Sequence, residues 1–490
     1  MSSYVLWSYI VLVLYVIVIF VITYVAWRKK VPTPSDYYLG GRTLGTVVLV
    51  LTLQASYISM WWILGGPGTF YRLGVWFLCY PLWNIFGSIM IYVVGTRYWL
   101  LGKKFGFITP ADMLGHYYGS QFLKLVMAVV MIIGLFPYMA IQLSGAGKAL
   151  VGLTEGGAPY WSGVLIMAVI AGVYVFFSGL RGVAWTDVFQ GLMFMTIMTV
   201  TVLVLMAKLG LGSLLRESAA QNPKLLVHSG NWPGWINMFL TWGMAFICFP
   251  HVWQRMYMAK EPRVIVNVAV WNLIISGWLT VIIAFFFGMT SVGLMPGLTK
   301  EQTDMLLPMF FAKYAPIVGI FVLSMAFAAA MSTLDTQLLS CSSIFTRDLY
   351  KTFINPEVDE KSEYNLGRLF VFALIVALLV FALTPGGTGL LIPLSTIGTG
   401  MVALFFPVVL GSLFWSKGTR AGAITSLLSG FFAYNMVQFV LPRGFIFGHG
   451  PTTIGLIVTL VVYYVVSRIT SPVPVERRKE YHDFLKSAMS

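Results

Sequence analysis

Charge is scarce in this chain. Of its 490 residues only 10% are Asp, Glu, Lys or Arg, against about 25% in soluble proteins. So few charges cannot cover a water-facing surface. A large soluble core is excluded as well, because soluble helices keep a polar face and the long runs here are apolar all round. Cysteine is nearly absent. Cys79, Cys248 and Cys341 stand at unrelated positions within apolar runs, which excludes a disulfide framework and a thiolate metal site. They read as small buried apolar residues. Five histidines, mostly outside the apolar runs, leave little for haem or metal chemistry. No GxxxxGK[ST] loop occurs, so nothing points to ATP as an energy source. No HExxH, GxGD-like acid pair or Ser/His dyad marks an intramembrane enzyme. No selectivity-filter repeat marks a channel. There is no low-complexity tract and no repeat of 20 to 50 residues.

What the chain has is long apolar sequence, with 58% hydrophobic residues. Runs of 18 or more apolar residues recur, each long enough to cross a bilayer as a helix. Runs and breaks give thirteen spans, at roughly 7–27, 44–66, 73–97, 122–147, 159–178, 184–207, 234–254, 264–290, 315–346, 369–384, 389–415, 421–441 and 451–467. A transmembrane barrel is excluded, since its strands alternate and run to about ten residues. The expected fold is therefore an all-α polytopic membrane protein.

The net charge of +14 invites a nucleic-acid partner, but its placement argues against one. With the N-terminus outside, 23 of the 31 Lys and Arg residues fall in cytosolic segments and 8 in external ones. That bias orients the chain N-out and C-in, in a cell membrane, with the excess charge available to anionic lipid. The first span lacks a basic leading region and is followed by "RKK" (28–30). It reads as a retained span, not a cleaved signal. Loops are short, so residues 1–468 are expected to form one transmembrane domain. The acidic loop 354–365 is expected to be a solvated linker. The charged segment 469–490 is expected to be a cytosolic tail, in solution or on the membrane surface.

Two spans contain interruptions. The second has Gln54, Ala55, Ser56 and Ser59, then Gly65, Gly66, Pro67 and Gly68. The seventh has Gly243 and Pro250. A backbone group freed within lipid must be satisfied by protein, water or an ion. Each broken span opens a block of five, which is the layout of inverted-repeat secondary transporters. Gly and Pro are also common in membrane helices generally.

Four stretches carry a resemblance. "DYYLGGRTLG" (36–45), "GLRGVAWTDVFQG" (179–191), "MAFICFPHVWQRMYMAK" (244–260) and "AAAMSTLDTQLLSCSSIFTRDLYK" (328–351) resemble, in order and spacing, segments of the sodium:solute symporter family. The resemblance implies a leucine-transporter-like core of two inverted five-helix repeats, here about 44–207 and 234–415. One span precedes that core and two follow it at 421–467. It implies alternating access, Na+ as coupling ion, no organic cofactor and a small solute as cargo. It places the main Na+ site at Ala329, Ser332 and Thr333, with carbonyls of Ala55 and Ile58. Read without it, Ser332 and Thr333 would back-bond to carbonyls one turn earlier.

Asp335 has no such bland explanation. An ionisable side chain at membrane depth is costly and marks function. Ala329, Ser332, Thr333 and Asp335/Thr336 share one helical face. In some family members an additional Na+ site uses the positions of Asp187, Ser332, Asp335 and Thr336. Many members have Ser at the position of Asp335. The two acids here hold a second Na+ or share a proton. The alternative for Asp187 is an N-cap of the sixth span.

Position in the resemblance nominates Tyr57, Trp61, Trp62, Tyr138, Gln142, Phe246 and Phe249 around the solute, against core packing or an interfacial belt. Few polar groups among them suggest a small solute with one charged end. "FPYMAIQLSG" (136–145) and "CFPH" (248–251) are similar to the branch carrying short monocarboxylates and small amino acids. An H+-coupled symporter using Asp335 and Asp187, and a transporter-like sensor, are the competing expectations.

Overall fold

The computed structural model describes residues 3–28, 33–442 and 446–489. Among these, twelve helices are long and apolar enough to cross a membrane, with the shorter apolar helix Thr46–Tyr57 beside them. Helix is the outcome lipid demands, because it satisfies every backbone group within its own segment.

Length shows where helices must turn back. Trp61–Phe105 has 45 residues, about 67 Å of helix at 1.5 Å per residue, twice the hydrocarbon thickness of about 30 Å. It breaks at Gly74, whose φ of 57° and ψ of −139° suit glycine alone. Tyr160–Leu209 likewise divides at Gly179, with φ 57° and ψ −173°. Thr46–Tyr57 with the leg ending at Leu73 makes one crossing, and the leg ending at Phe105 makes the next. Counted so, the described residues hold thirteen candidate crossings, the number of the apolar runs.

The ninth span lies at the centre. Every residue of Val322–Ser343 is buried, while the first span exposes Trp7, Val13, Leu14, Ile17 and Val21 to the surroundings. Tyr15 ties that outer span to the centre. Its hydroxyl accepts from Gln190 Nε2 at 2.6 Å and meets Met331 Sδ at 3.6 Å.

Two peripheral segments differ from expectation. Within 354–365, Glu363 is 1% exposed and binds Arg347 at 3.1 Å and Lys351 at 3.2 Å. An acid flanked by two cations is cheaper to bury than composition alone suggests. Val475–Met489 is a helix that packs against the segments Thr96–Phe105 and Pro110–Tyr118. Tyr481 is fully buried, stacked 5.0 Å from Phe105, and its hydroxyl lies 2.8 Å from His116 Nδ1. His482 Nε2 meets the Tyr117 hydroxyl at 3.0 Å. Burial holds both His116 and His482 below the usual histidine pKa, so both stay neutral and free to pair at neutral pH. Tyr481→Ala should lower the thermal midpoint in detergent, since truncating a buried aromatic costs about 3–5 kcal/mol. An unchanged midpoint would mean that the tail does not dock.

Candidate functional site

The second span ends its first half at Tyr57. Ile58 is extended, with φ −80° and ψ 91°, and helix resumes at Trp61. Of the two stretches that the sequence marks, the break falls in the first, residues 54–59, and not in the Gly65–Gly68 run. Those glycines lie inside the second half, where Gly65 fits against Ile392 and Gly68 against Thr303. In the seventh span the helix stops at Phe246 and restarts at Pro250. Pro250 opens the second half, where its missing N–H costs nothing. Gly243 sits within the first half, against Phe86.

The break frees carbonyls. The Met60 N–H, which would cap the Ser56 carbonyl in a continuous helix, goes instead to Gln142 Oε1 at 3.1 Å. Gln142 therefore pins the unwound turn, and its Nε2 returns to the Tyr138 carbonyl at 3.0 Å. The freed oxygens face the ninth span. Ser332 Oγ donates to the Ala55 carbonyl at 2.7 Å, and Thr333 Oγ1 to the Ser56 carbonyl at 3.0 Å. Back-bonding within the helix is the longer contact, Ser332 to Ala329 at 3.3 Å. Ile58 forms the turn itself, and the carbonyl that meets Thr333 is that of Ser56. Two carbonyls and two hydroxyls, each hydroxyl still offering lone pairs, make an oxygen set that suits a hard cation such as Na+.

Two buried carboxylates, Asp187 and Asp335, lie beyond this oxygen set. Asp187 is buried inside a continuous helix and is not an N-cap. Thr52 Oγ1 donates to its Oδ2, and Arg255 Nη2 lies 3.5 Å from the same oxygen. Arg255 counts as a loop residue when sequence position is the guide. Here it is 1% exposed. It donates to the His251 carbonyl at 2.9 Å, the Thr52 carbonyl at 3.2 Å and Ser56 Oγ. Thr336 Oγ1 reaches that same Ser56 Oγ at 3.2 Å.

Asp335 is fully buried, and among the described residues neither of its oxygens has a hydrogen-bond partner. The charge whose field reaches it is that of Asp187. An isolated buried carboxylate costs many kcal/mol, so such a group is neutralised by a proton or a cation. Asp187 and Asp335 with Arg255 sum to a net charge of −1, which one monovalent cation cancels.

Of the nominated solute residues, Tyr57, Tyr138, Phe246 and Phe249 line one small cavity of about 20 Å³, room for a single water. Trp83, Trp242, Leu53, Ser56, His251 and Val252 complete its wall. Trp61 packs behind that wall, 4.7 Å from Trp242 and 5.9 Å from Trp83. Trp62 is buried and, like Gln142, does not line the cavity. Arg255, His251 and Gln254 all fall in the quoted "PHVWQR" run, so spacing from Pro250 is the signal that could have found them. Gln337, buried and among the described residues without a partner for either amide atom, lies one turn beyond Thr333 and carries no such signal.

Two broken spans that close an aromatic cavity and present freed carbonyls to hydroxyls on a central helix define a cation-coupled secondary transporter. Residues 37–430 match the sodium:solute symporter family, and the chain belongs to it. Sodium/proline symporters of Staphylococcus aureus strains JH9 and COL are each 29% identical over 481 residues, covering 94% of this chain and 93% of theirs. A Na+-coupled sialic acid symporter in a substrate-bound outward-open state shares the fold with a TM-score of 0.79. It is 17% identical, over 96% of this chain and 99% of its own. Mhp1, a nucleobase-cation-symport-1 family transporter in a closed conformation, scores 0.55 at 14% identity, over 93% and 99%. The fold is thus leucine-transporter-like. The protein is a multi-pass membrane transporter, not an enzyme, and couples movement of a small organic solute to Na+.

Proposed function

We propose that the chain carries a compact solute with one carboxylate, an amino acid or short monocarboxylate, together with Na+ by alternating access. The observation that carries this reading is the cavity between the two breaks. Six of its lining side chains are aromatic, its polar groups are few, and it holds no acidic side chain. Aromatic faces suit an apolar ring or chain and attract a substituted ammonium. They offer little to a polyhydroxylated sugar. The relatives named for sodium and proline support an amino acid.

Na+ at Ala55, Ser56, Ile58, Ala329, Ser332 and Thr333 lies beside this cavity through Ser56, and so is placed to face a solute carboxylate. A second cation sits among Asp187, Ser332, Asp335 and Thr336. The partnerless oxygens of Asp335 favour a second reading as well, in which that cation is H+. The two five-span blocks, about 44–207 and 234–415, move as the repeats, and the N-terminus lies outside. That orientation rests on the division of Lys and Arg, 22 to 8 once the buried Arg255 is set aside.

Uptake of labelled L-proline into Na+-loaded-outside proteoliposomes tests the cargo class, with glycine betaine, pyruvate, L-aspartate and D-glucose as competitors. Betaine and pyruvate should compete, and aspartate and glucose should not. Trp242→Ala should raise the half-saturating solute concentration about tenfold, the worth of one aromatic contact to a desolvated cation. No Na+-dependent proline uptake, or uptake displaced by glucose and not by betaine or pyruvate, would overturn this cargo class.

A further inference from the structure

Away from the solute path, a cleft of about 600 Å³ opens on the outer face of the bundle. It runs between the half-helix Trp232–Phe246, the helix Phe406–Phe414 that ends the eleventh span, and the last span, Pro451–Ile469. Met244, Leu410, Phe414, Ile457 and Leu460 make its walls apolar. Close packing sets its floor: a Cβ at Gly411 would strike the Tyr463 hydroxyl. Along the last span the lining extends from Thr453 to Tyr464, a rise of about 16 Å at 1.5 Å per residue. That is roughly half the hydrocarbon thickness, the depth of one leaflet.

One end of the cleft carries a rim of cations. The Arg97 guanidinium lies 4.4 Å over the Phe414 ring. Trp415 follows Phe414 in the chain and stacks on Tyr464 at 5.6 Å. The Tyr464 hydroxyl accepts from Arg468 Nη2 at 2.9 Å. Lys417 and Arg420 stand exposed just beyond Trp415 in the chain. Nothing in these segments answers that charge: the sequence holds no Asp or Glu between residues 37 and 111, nor between 364 and 475. Among the described residues, Arg97 and Arg468 form no ion pair. Aromatic side chains and cations at one level are what a membrane interface selects.

We propose that this cleft binds an anionic phospholipid, with an acyl chain along its apolar walls and the phosphate at Arg97 and Arg468. Guanidinium forks suit phosphate oxygens, and basic pockets between spans select anionic headgroups. A zwitterionic lipid would set its own ammonium against the same rim. A second copy of the chain is the poorer occupant, because a symmetric contact would press two such rims together with no acid from these segments between them. The seat shares a wall with the solute cavity. Leu240 and Met244 line the cleft, while Trp242 and Phe246 of the same half-helix line the cavity at the breaks.

Native mass spectrometry of the purified full chain tests this, with dioleoylphosphatidylglycerol titrated against dioleoylphosphatidylcholine. The native chain should hold its first phosphatidylglycerol more tightly than phosphatidylcholine. Arg97→Gln and Arg468→Gln should each weaken phosphatidylglycerol about fivefold, the worth of one basic side chain at an anionic headgroup, and together about twenty-fivefold. The double variant should no longer distinguish the two lipids. Arg263→Gln, at an exposed cation on another span, should change neither affinity. Leu460→Trp fills the cleft from an exposed position and should weaken both lipids without touching the rim. Excess glycerol phosphate, which lacks an acyl chain, should not displace the lipid. Equal affinity of the native chain for both lipids would overturn the proposal. So would phosphatidylglycerol binding unchanged by the double variant in monodisperse protein, or a loss matched by Arg263→Gln, which would mark general charge. Displacement by glycerol phosphate would leave only a phosphate contact, and a dimer abolished by Leu460→Trp would give the face to a second copy; either result overturns the lipid seat.

Discussion

Ser332→Ala should raise the Na+ concentration needed for half-maximal uptake by one to two orders of magnitude, ending Na+-driven accumulation at ordinary Na+ levels. The hydroxyl removed is the one that meets the Ala55 carbonyl at 2.7 Å. It belongs to a set of oxygens with no formal charge, so each member carries a large share of the cation's solvation. Loss of one charge-assisted contact costs about 1.5–3 kcal/mol, ten- to a hundredfold in affinity. The fold should survive, because alanine is the best helix former and the residue removed is small. Thr333→Ala should move the same quantity in the same direction, through the Ser56 carbonyl. The check is the Na+ dependence of solute uptake in proteoliposomes at saturating solute. A curve unchanged in both variants would remove these hydroxyls from the ion path.

Arg255→Gln should be the most destabilising single change near the site. It strips Asp187 of its cation inside the membrane, where neither group reaches solvent. Breaking a buried pair from one side costs about 3–5 kcal/mol, because it strands the partner's charge. Asp187→Asn should also destabilise, by stranding Arg255. The double variant Asp187→Asn, Arg255→Gln should recover most of the loss, since it leaves two neutral groups that can still hydrogen bond to Thr52 and Ser56. Thermal unfolding of the four chains in detergent gives the coupling directly. Additive losses would mean that the two residues do not act as a pair. In uptake, the double variant should still respond to Na+ through Ser332 and Thr333, but with the second cation's contribution lost.

Much of this was legible in the sequence because lipid leaves so few options. Apolar runs of spanning length become helices, and the spans predicted at 122–147 and 451–467 match Gln121–Leu153 and Pro451–Ile469 closely. Asp335 stood out because a carboxylate in an apolar run needs a reason. Ser332 and Thr333 followed from helical spacing together with the family resemblance. The break in the second span was harder to place. Both the polar stretch 54–59 and the run Gly65–Gly68 stood as interruptions; the glycines serve close packing, and the chain unwinds at Ile58, which is not a breaker residue. What unwinds it is tertiary: Gln142 takes the Met60 N–H from another span.

Arg255 was missed for a related reason. A cation immediately after an apolar run that ends at 254 reads as a loop residue, and only the fold shows that Thr52, Ser56 and Asp187 surround it. Gln142 was nominated to face the solute by its position in the resemblance, and its hydrogen bonds go to the backbone of Met60 and Tyr138. The aromatic wall divides in the same way. Tyr57, Tyr138, Phe246 and Phe249 reach the cavity, and Trp83 and Trp242 join them from positions that carry no motif.

The central claim is that solute flux is tied to Na+ through the face of the ninth span bearing Ser332, Thr333 and Asp335. The most direct measurement is solute accumulation in proteoliposomes under Na+ and pH gradients imposed separately, for the native chain and for Asp335→Asn. A Na+ gradient at equal pH should drive accumulation in the native chain. In Asp335→Asn the cluster of Asp187, Arg255 and residue 335 is already neutral. It should still accumulate solute with Na+, but to a lower ratio, because one coupled cation is lost. Equal accumulation by the native chain under a pH gradient in the absence of Na+ would contradict the account.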